Sequence, residues 1–328
     1  WSGAESPEGN RLFMWGMNER GQLGQNSQGP SSNGSRSSPV QVGTEYTWSS
    51  QALSSGMGMG IKTDNTMWVW GISMNGGELG LNEGGYVWRS SPTQLGTDAT
   101  WNSFVTGYSG MAAYENAGAI KTDGSLWMWG SNSYGNLGLN NKTQYSSPVQ
   151  LPGTWDKQAI AECSTAQIKD GKLYMAGRNN EGGLGQNDTT QRSSPHQVGT
   201  DTTWANIDLG DYGTAAFGVK TDGTLWSWGY NKGNAVGILG HNQGGDSPSI
   251  NYSSPKQVGT DTTWSADDDK IAVAHRSITA IKTDGSLWSW GSNQYGMCGA
   301  NAAGSTINAY SSPVQVGNKT DWSSCARG

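Results

Sequence analysis

The sequence predicts an all-β protein, a single β-propeller of six four-stranded blades spanning residues 1–328, with seven blades as the alternative count. Three observations carry this expectation. A tryptophan phrase recurs six times: RLFMWG (11–16), TMWVWG (66–71), SLWMWG (125–130), KLYMAG (172–177), TLWSWG (224–229) and SLWSWG (286–291). The phrase SSP also recurs six times, ending at Pro39, Pro92, Pro148, Pro195, Pro255 and Pro313. A Trp follows each SSP, at Trp48, Trp101, Trp155, Trp204, Trp264 and Trp322. A fixed repeat of this length is the mark of an array in which each unit buries its apolar face only by stacking on its neighbours.

The elements follow in order along one repeat. AIKTDGSLWSWG (280–291) reads as two short strands joined at Asp-Gly, a strong hairpin signal. Residues alternate faces along a strand, so Trp288 and Trp290 share a side. PVQVG reads as a third strand that opens with Pro, which cannot donate to the ladder. The stretch after the third Trp column, such as WANIDLG (204–210), supplies a fourth. A Gly-rich box follows each tryptophan phrase: GQLG (21–24), GELG (77–80), GNLG (135–138), GGLG (182–185), GILG (237–240) and GMCG (296–299).

The step from one tryptophan phrase to the next is 55, 59, 47, 52 and 62 residues, measured on Trp15, Trp70, Trp129, Ala176, Trp228 and Trp290. The repeats are roughly 1–47, 48–100, 101–154, 155–203, 204–263 and 264–321, and 322–328 is expected to complete the first blade. N- and C-terminal strands shared in one blade would close a ring and remove an exposed sheet edge. Pro7 stands where the other repeats have Lys, so its strand is expected away from the middle of its blade.

Composition excludes other classes. Gly is 50 of 328 residues, which a mainly helical protein would not tolerate. The chain carries 17 Trp, against the disordered class. Fifteen of those Trp stand in repeat columns, all but Trp1 and Trp88, so architecture is their first explanation. The formal net charge of −6 opposes nucleic-acid binding, which needs a basic footprint. Apolar runs are far shorter than the roughly 20 residues that span a bilayer, so no membrane insertion is expected. Three Cys (Cys163, Cys298 and Cys325) imply no disulfide framework.

LWSWG, the Asn and LG box behind it, then SSPVQVG and a Trp resemble the repeat of the regulator-of-chromosome-condensation family. The likeness covers nearly the whole chain in six copies. It implies a β-propeller fold, commonly of seven blades, and binding of other macromolecules through the rim and faces. The family's best-known member is an exchange factor for the small GTPase Ran that docks on chromatin. That activity is not carried over, because its loop residues and basic tail have no match here.

No catalytic residue, metal site or cofactor is expected. His196 takes the second position of a PVQV phrase, His241 follows GILG on a loop, and His275 lies in a strand; none stands in a triad-like arrangement. Cys163 and Cys298 read as small buried fillers. Asp267, Asp268 and Asp269 read as a solvated turn rather than a Ca²⁺ loop. Lys62, Lys121, Lys169, Lys220 and Lys282 share one strand register and read as a solvated edge. Five Asn-x-Ser/Thr sequons, at Asn33, Asn141, Asn187, Asn251 and Asn318, are expected by chance in so polar a chain.

Candidate binding residues stand just before SSP: Arg36, Arg89, Tyr145, Arg192, Tyr252 and Tyr310. Arg and Tyr are favoured at binding hot spots, although each could equally seal a joint between blades. Tyr86 and Trp88 join them, because Trp88 is off the repeat register on a loop near Gly84 and Gly85. Two functions are open. One is a non-catalytic binding or structural module of a surface assembly, such as a virion or tail component, an extracellular adhesin or a filament. Its partner would be a protein or glycan, with self-association a further option. The alternative is a cytoplasmic regulator or scaffold of the exchange-factor type.

Overall fold

A computed structural model describes the chain except residues 1, 7–8, 28–33, 54–55, 75, 107–115, 211–213, 232–236, 244–249, 275, 301–307 and 326–328. The described residues form 23 strands in six antiparallel sheets, with no α-helix. The first sheet holds β1 (Ser2–Ser6), β2 (Gly9–Gly16) and β3 (Arg36–Gln41). The second holds β4 (Trp48–Leu53), β5 (Met57–Lys62), β6 (Met67–Ser73) and β7 (Val87–Gln94). The third holds β8 (Trp101–Thr106), β9 (Asn116–Lys121), β10 (Ser125–Gly130) and β11 (Tyr145–Thr154). The fourth holds β12 (Lys157–Ile160), β13 (Ser164–Lys169), β14 (Lys172–Gly177) and β15 (Arg192–Gln197). The fifth holds β16 (Trp204–Leu209), β17 (Ala215–Lys220), β18 (Leu225–Gly229) and β19 (Tyr252–Gln257). The sixth holds β20 (Ile271–Val273), β21 (Ser277–Ile281), β22 (Leu287–Ser292) and β23 (Ala309–Gln315).

Each sheet is a meander in chain order. The central hairpin turns as its Asp-Gly signal demands. In the third sheet Gly124 N donates to Lys121 O at 2.9 Å, with Gly124 in the left-handed region at φ +80°. That is a three-residue loop with its left-handed position filled by Gly. The SSP strands begin earlier than the sequence suggests, at the residue before SSP in β3, β11, β15 and β19 and further upstream in β7 and β23. Their Pro sits at a register shift, as between Ser227 and Gly229 opposite β19, where no ladder donor is required.

The first sheet departs from expectation. It has three strands, and Trp322–Cys325, expected to start its fourth, form none. The Cys325 N–H instead donates to Asp269 O at 2.7 Å beside the sixth sheet. Pro7 lies outside the described residues.

The chain divides into two compact units. One is Trp1–Ser133 with Lys142–Trp155; the other is Tyr134–Asn141 with Asp156–Gly328. Within each unit the repeated phrases serve the joints between consecutive sheets. In the first, Trp70 and Trp129 donate their indole N–H to Gln22 O and Glu78 O at 2.9 and 3.0 Å. In the second, Trp228 and Trp290 donate to Gly183 O and Ile238 O at 2.9 and 2.8 Å. All four acceptors lie in the Gly-rich box of the preceding sheet, and all four indoles are fully buried. The Asn behind each of the first five boxes is left-handed, as Asn187 (φ +57°), and its N–H reaches the first Ser of the SSP in the following repeat, Ser253 O for Asn187, at 2.6 Å. Gly182 needs its missing Cβ at this contact, since one would fall 2.6 Å from Ser253 Cα.

Candidate functional site

The six residues before SSP share one structural position. Arg36, Arg89, Tyr145, Arg192, Tyr252 and Tyr310 each pair across the sheet with the Gly that ends the tryptophan phrase: Gly16, Gly71, Gly130, Gly177, Gly229 and Gly291. All six are half-buried. Arg36 donates to Gly34 O and Ser35 O, each at 3.3 Å. Arg192 bridges Asp188 at 2.6 Å and donates to Thr190 O at 2.9 Å, and Arg89 bridges Glu83. Tyr252 and Tyr310 pack on the buried clusters of the second unit.

Tyr86 and Trp88 are 67% and 49% exposed, as Tyr295 and Tyr46 also are at 82% and 54%, against 9% or less for the buried Trp of the joints and first strands. The local cause is an extended hairpin. The second sheet continues its β6–β7 ladder past Gly71↔Arg89 to Ile72↔Trp88 and Ser73↔Val87. Glu78 fixes the loop that follows β6. Its fully buried carboxylate accepts Ser73 Oγ at 2.9 Å, Met74 N at 2.8 Å and Gly76 N at 3.1 Å. Tyr86 immediately precedes β7 and Trp88 is its second residue. The Arg89–Glu83 ion pair borders them. Tyr, Trp and Arg are the residue types favoured at binding hot spots.

The lysine register is corrected by the structure. Lys62, Lys121, Lys220 and Lys282 are not a solvated edge: their side chains are only 8–11% exposed. Each ammonium sits between two indoles. Lys220 Nζ is 4.9 Å from the Trp204 ring centroid and 3.8 Å from that of Trp226. Lys62, Lys121 and Lys282 repeat this with Trp48 and Trp68, Trp101 and Trp127, and Trp264 and Trp288. A half-exposed or more exposed carboxylate completes each clamp: Glu45, Asp98, Asp201 and Asp261. The turn Asp carries the rest. Asp222 accepts Thr224 N and Oγ1, and Thr224 Oγ1 in turn accepts the Trp226 indole at 2.8 Å. Those bonds hold the Asp222 carboxyl below its usual range.

The remaining titratable groups offer no assembled reaction centre among the described residues. His196 is exposed, with Nδ1 2.8 Å from Ser194 O; His275 lies outside the described residues. His241 Nε2 is 2.9 Å from Ser227 Oγ, but that Ser is fully buried. Burial, then the charge of Lys256, pushes the His241 pKa down to about 4. Cys163 and Cys298 are buried, and burial raises the Cys163 thiol to about 12. Asp267, Asp268 and Asp269 are exposed, Asp268 pairing with Lys157 at 2.5 Å.

Comparison with known proteins adds the following. The family described as Regulator of chromosome condensation (RCC1) repeat matches residues 10–55, 123–164, 170–217 and 284–328. The ultraviolet-B receptor UVR8 of Arabidopsis thaliana is 24% identical over 312 residues, covering 90% of this chain and 64% of that protein. This chain therefore spans less than two thirds of UVR8. Among solved structures, Prp20p of Saccharomyces cerevisiae, described with its binding to Gsp1p and histones, superposes with a TM-score of 0.74 at 17% identity, over 96% of this chain and 74% of that one. The same yeast protein bound to Kap60 gives 0.75 at 18% identity, over the same shares. Human WBSCR16 gives 0.69 at 20% identity, over 93% and 79%.

Proposed function

The chain belongs to the Regulator of chromosome condensation (RCC1) repeat family, and we propose that it is a protein-binding module of the regulator or scaffold class whose partner contacts Tyr86, Trp88 and Arg89. The observation that carries this reading is the exposure of two large aromatic rings outside every repeat column. What all repeats share serves the joints. A ring that one repeat alone adds and leaves in water has no structural task. Binding there needs no catalytic residue and no cofactor.

The relatives support the regulator class over the surface-assembly one. Prp20p is described with protein partners, Gsp1p, histones and Kap60. A cytoplasmic setting goes with that class, in place of the virion or extracellular one.

The binding reading is tested by a photo-crosslinking residue at position 86. A discrete protein adduct from host lysate, lost on Trp88→Ser, is expected. Adducts that survive Trp88→Ser, or none from position 86 when other surface positions give them, would overturn it.

A further inference from the structure

An open pocket of about 500 Å³ beside the fifth and sixth sheets is lined by His241, Lys256, Asp261, Lys282, Trp288 and Pro313 among others, with Lys256 exposed at its edge. Its size is that of a small-molecule site. Asp261 and Lys282 neutralise one another. Lys256 is left as the unmatched charge, in a protein whose net charge is negative. Its ammonium is steered by Tyr252, whose hydroxyl accepts from Nζ at 2.9 Å and donates to Gln243 Oε1 at 2.5 Å. Trp288 is half-buried, with Lys282 3.9 Å from its ring centroid.

The tautomer of His241 follows from its neighbour. The Ser227 hydroxyl spends its proton on Leu239 O at 2.6 Å, so its oxygen accepts from His241 Nε2–H. Nδ1 is left as a bare acceptor. The His241 ring is set edge-on to Tyr252, with centroids 5.2 Å apart.

Repeat comparison shows that these residues are not scaffold. The His241 column holds Gln25, Leu81, Leu139, Gln186 and Ala300, and the Lys256 column holds Val40, Thr93, Val149, His196 and Val314. Gln25 and Gln186 use that slot to donate to Val40 O and His196 O at 3.1 and 3.0 Å. The fifth repeat alone changes the two columns to His and Lys together, and the fold brings both to one cavity.

We infer that this cavity binds a sugar acid, a pyranose carrying one carboxylate. The ligand needs an anion for Lys256, a hydroxyl donor for His241 Nδ1, and a flat hydrocarbon face for Trp288 and Pro313. A uronic acid offers all three. This site is separate from the Tyr86–Trp88 surface and stands or falls without it.

Two variants restore the repeat's own residues and so keep the fold: His241→Gln and Lys256→Val. Binding is read by saturation-transfer NMR and Trp fluorescence with galacturonic acid, tetragalacturonic acid and galactose. Galacturonate is expected to bind and galactose to bind about three- to fivefold more weakly, the scale of one exposed ion pair. Lys256→Val should abolish that preference, and His241→Gln should weaken galacturonate by a similar factor. Tighter binding of the tetramer would identify the end of an acidic glycan as the ligand; equal binding would identify the free sugar acid. The proposal is overturned if galactose and galacturonate bind alike, if neither acid binds, if the two variants bind unchanged, or if a polyglutamate peptide binds more tightly than both acids.

Discussion

The Trp228 indole in β18 donates to the carbonyl of Gly183, 45 residues earlier, at 2.9 Å across the joint between the fourth and fifth sheets. Trp204 lies edge-to-face with it at 5.7 Å between centroids. Trp228→Ala should therefore cost about 3–5 kcal/mol, as for other large buried aromatics. Trp228→Phe keeps most of the packing but loses the bond, and should cost about 1–2 kcal/mol. Denaturant melts of the two variants check both figures.

Trp88→Ala should move stability by no more than about 0.5 kcal/mol, since the ring is 49% exposed. A loss comparable to that of Trp228→Ala would show that Trp88 belongs to the scaffold.

The lysine clamps give a different signature. Lys220→Met retains the alkyl stem and removes only the charge between Trp204 and Trp226. The expected loss is about 1–2 kcal/mol, the scale of a desolvated cation–π contact. Asp201→Asn should cost less, because the Asp201 side chain is 55% exposed. Equal losses would place the energy in the ion pair instead.

Much of this could be read from sequence, and the reasons are local. Trp70, Trp129, Trp228 and Trp290 announce the joints because one bond recurs at each of them. Trp88 stands out because it breaks that recurrence. The clamps of Lys62, Lys121, Lys220 and Lys282 are not legible in sequence, because a charge in a strand suggests solvent, whereas the clamp forms only when two Trp columns from different phrases converge on the same Nζ. His241 and Lys256 lie in separate phrases of the fifth repeat, and the fold brings them to one pocket. The signal was present: two columns change in one repeat.

His241 makes stability pH-dependent. Its pKa is near 4 in the folded protein, held there by burial and by Lys256, against about 6.5 unfolded. Between those values the unfolded chain binds more protons, so stability is full above about pH 6.5 and falls as pH drops toward 4. The ring is partly exposed, which reduces the effect to roughly 1–2 kcal/mol. His241→Gln should flatten the melting temperature across this window; an unchanged slope would assign it to other groups.

The fourth repeat tests packing directly. Ala176 takes the Trp column, and its cross-strand partner is Thr165, where Trp70 and Trp228 face Gly58 and Ala216. Ala176→Trp alone should destabilise by about 1–3 kcal/mol through overpacking. Adding Thr165→Ala should recover part of that loss in the same thermal melt.

The bond from the phrases of Trp70, Trp129, Trp228 and Trp290 to the box before each has an evolutionary consequence. One half of each of these locks is carried by a repeat and the other half by its predecessor, in the same chemical form. A cassette cut from Trp204 to Thr263 carries one key and one keyhole, and would fit between any two neighbours that use the same pair. Such a chain can lengthen or shorten by whole repeats without inventing a new contact, leaving the outward-facing substitutions of single copies free to specialise.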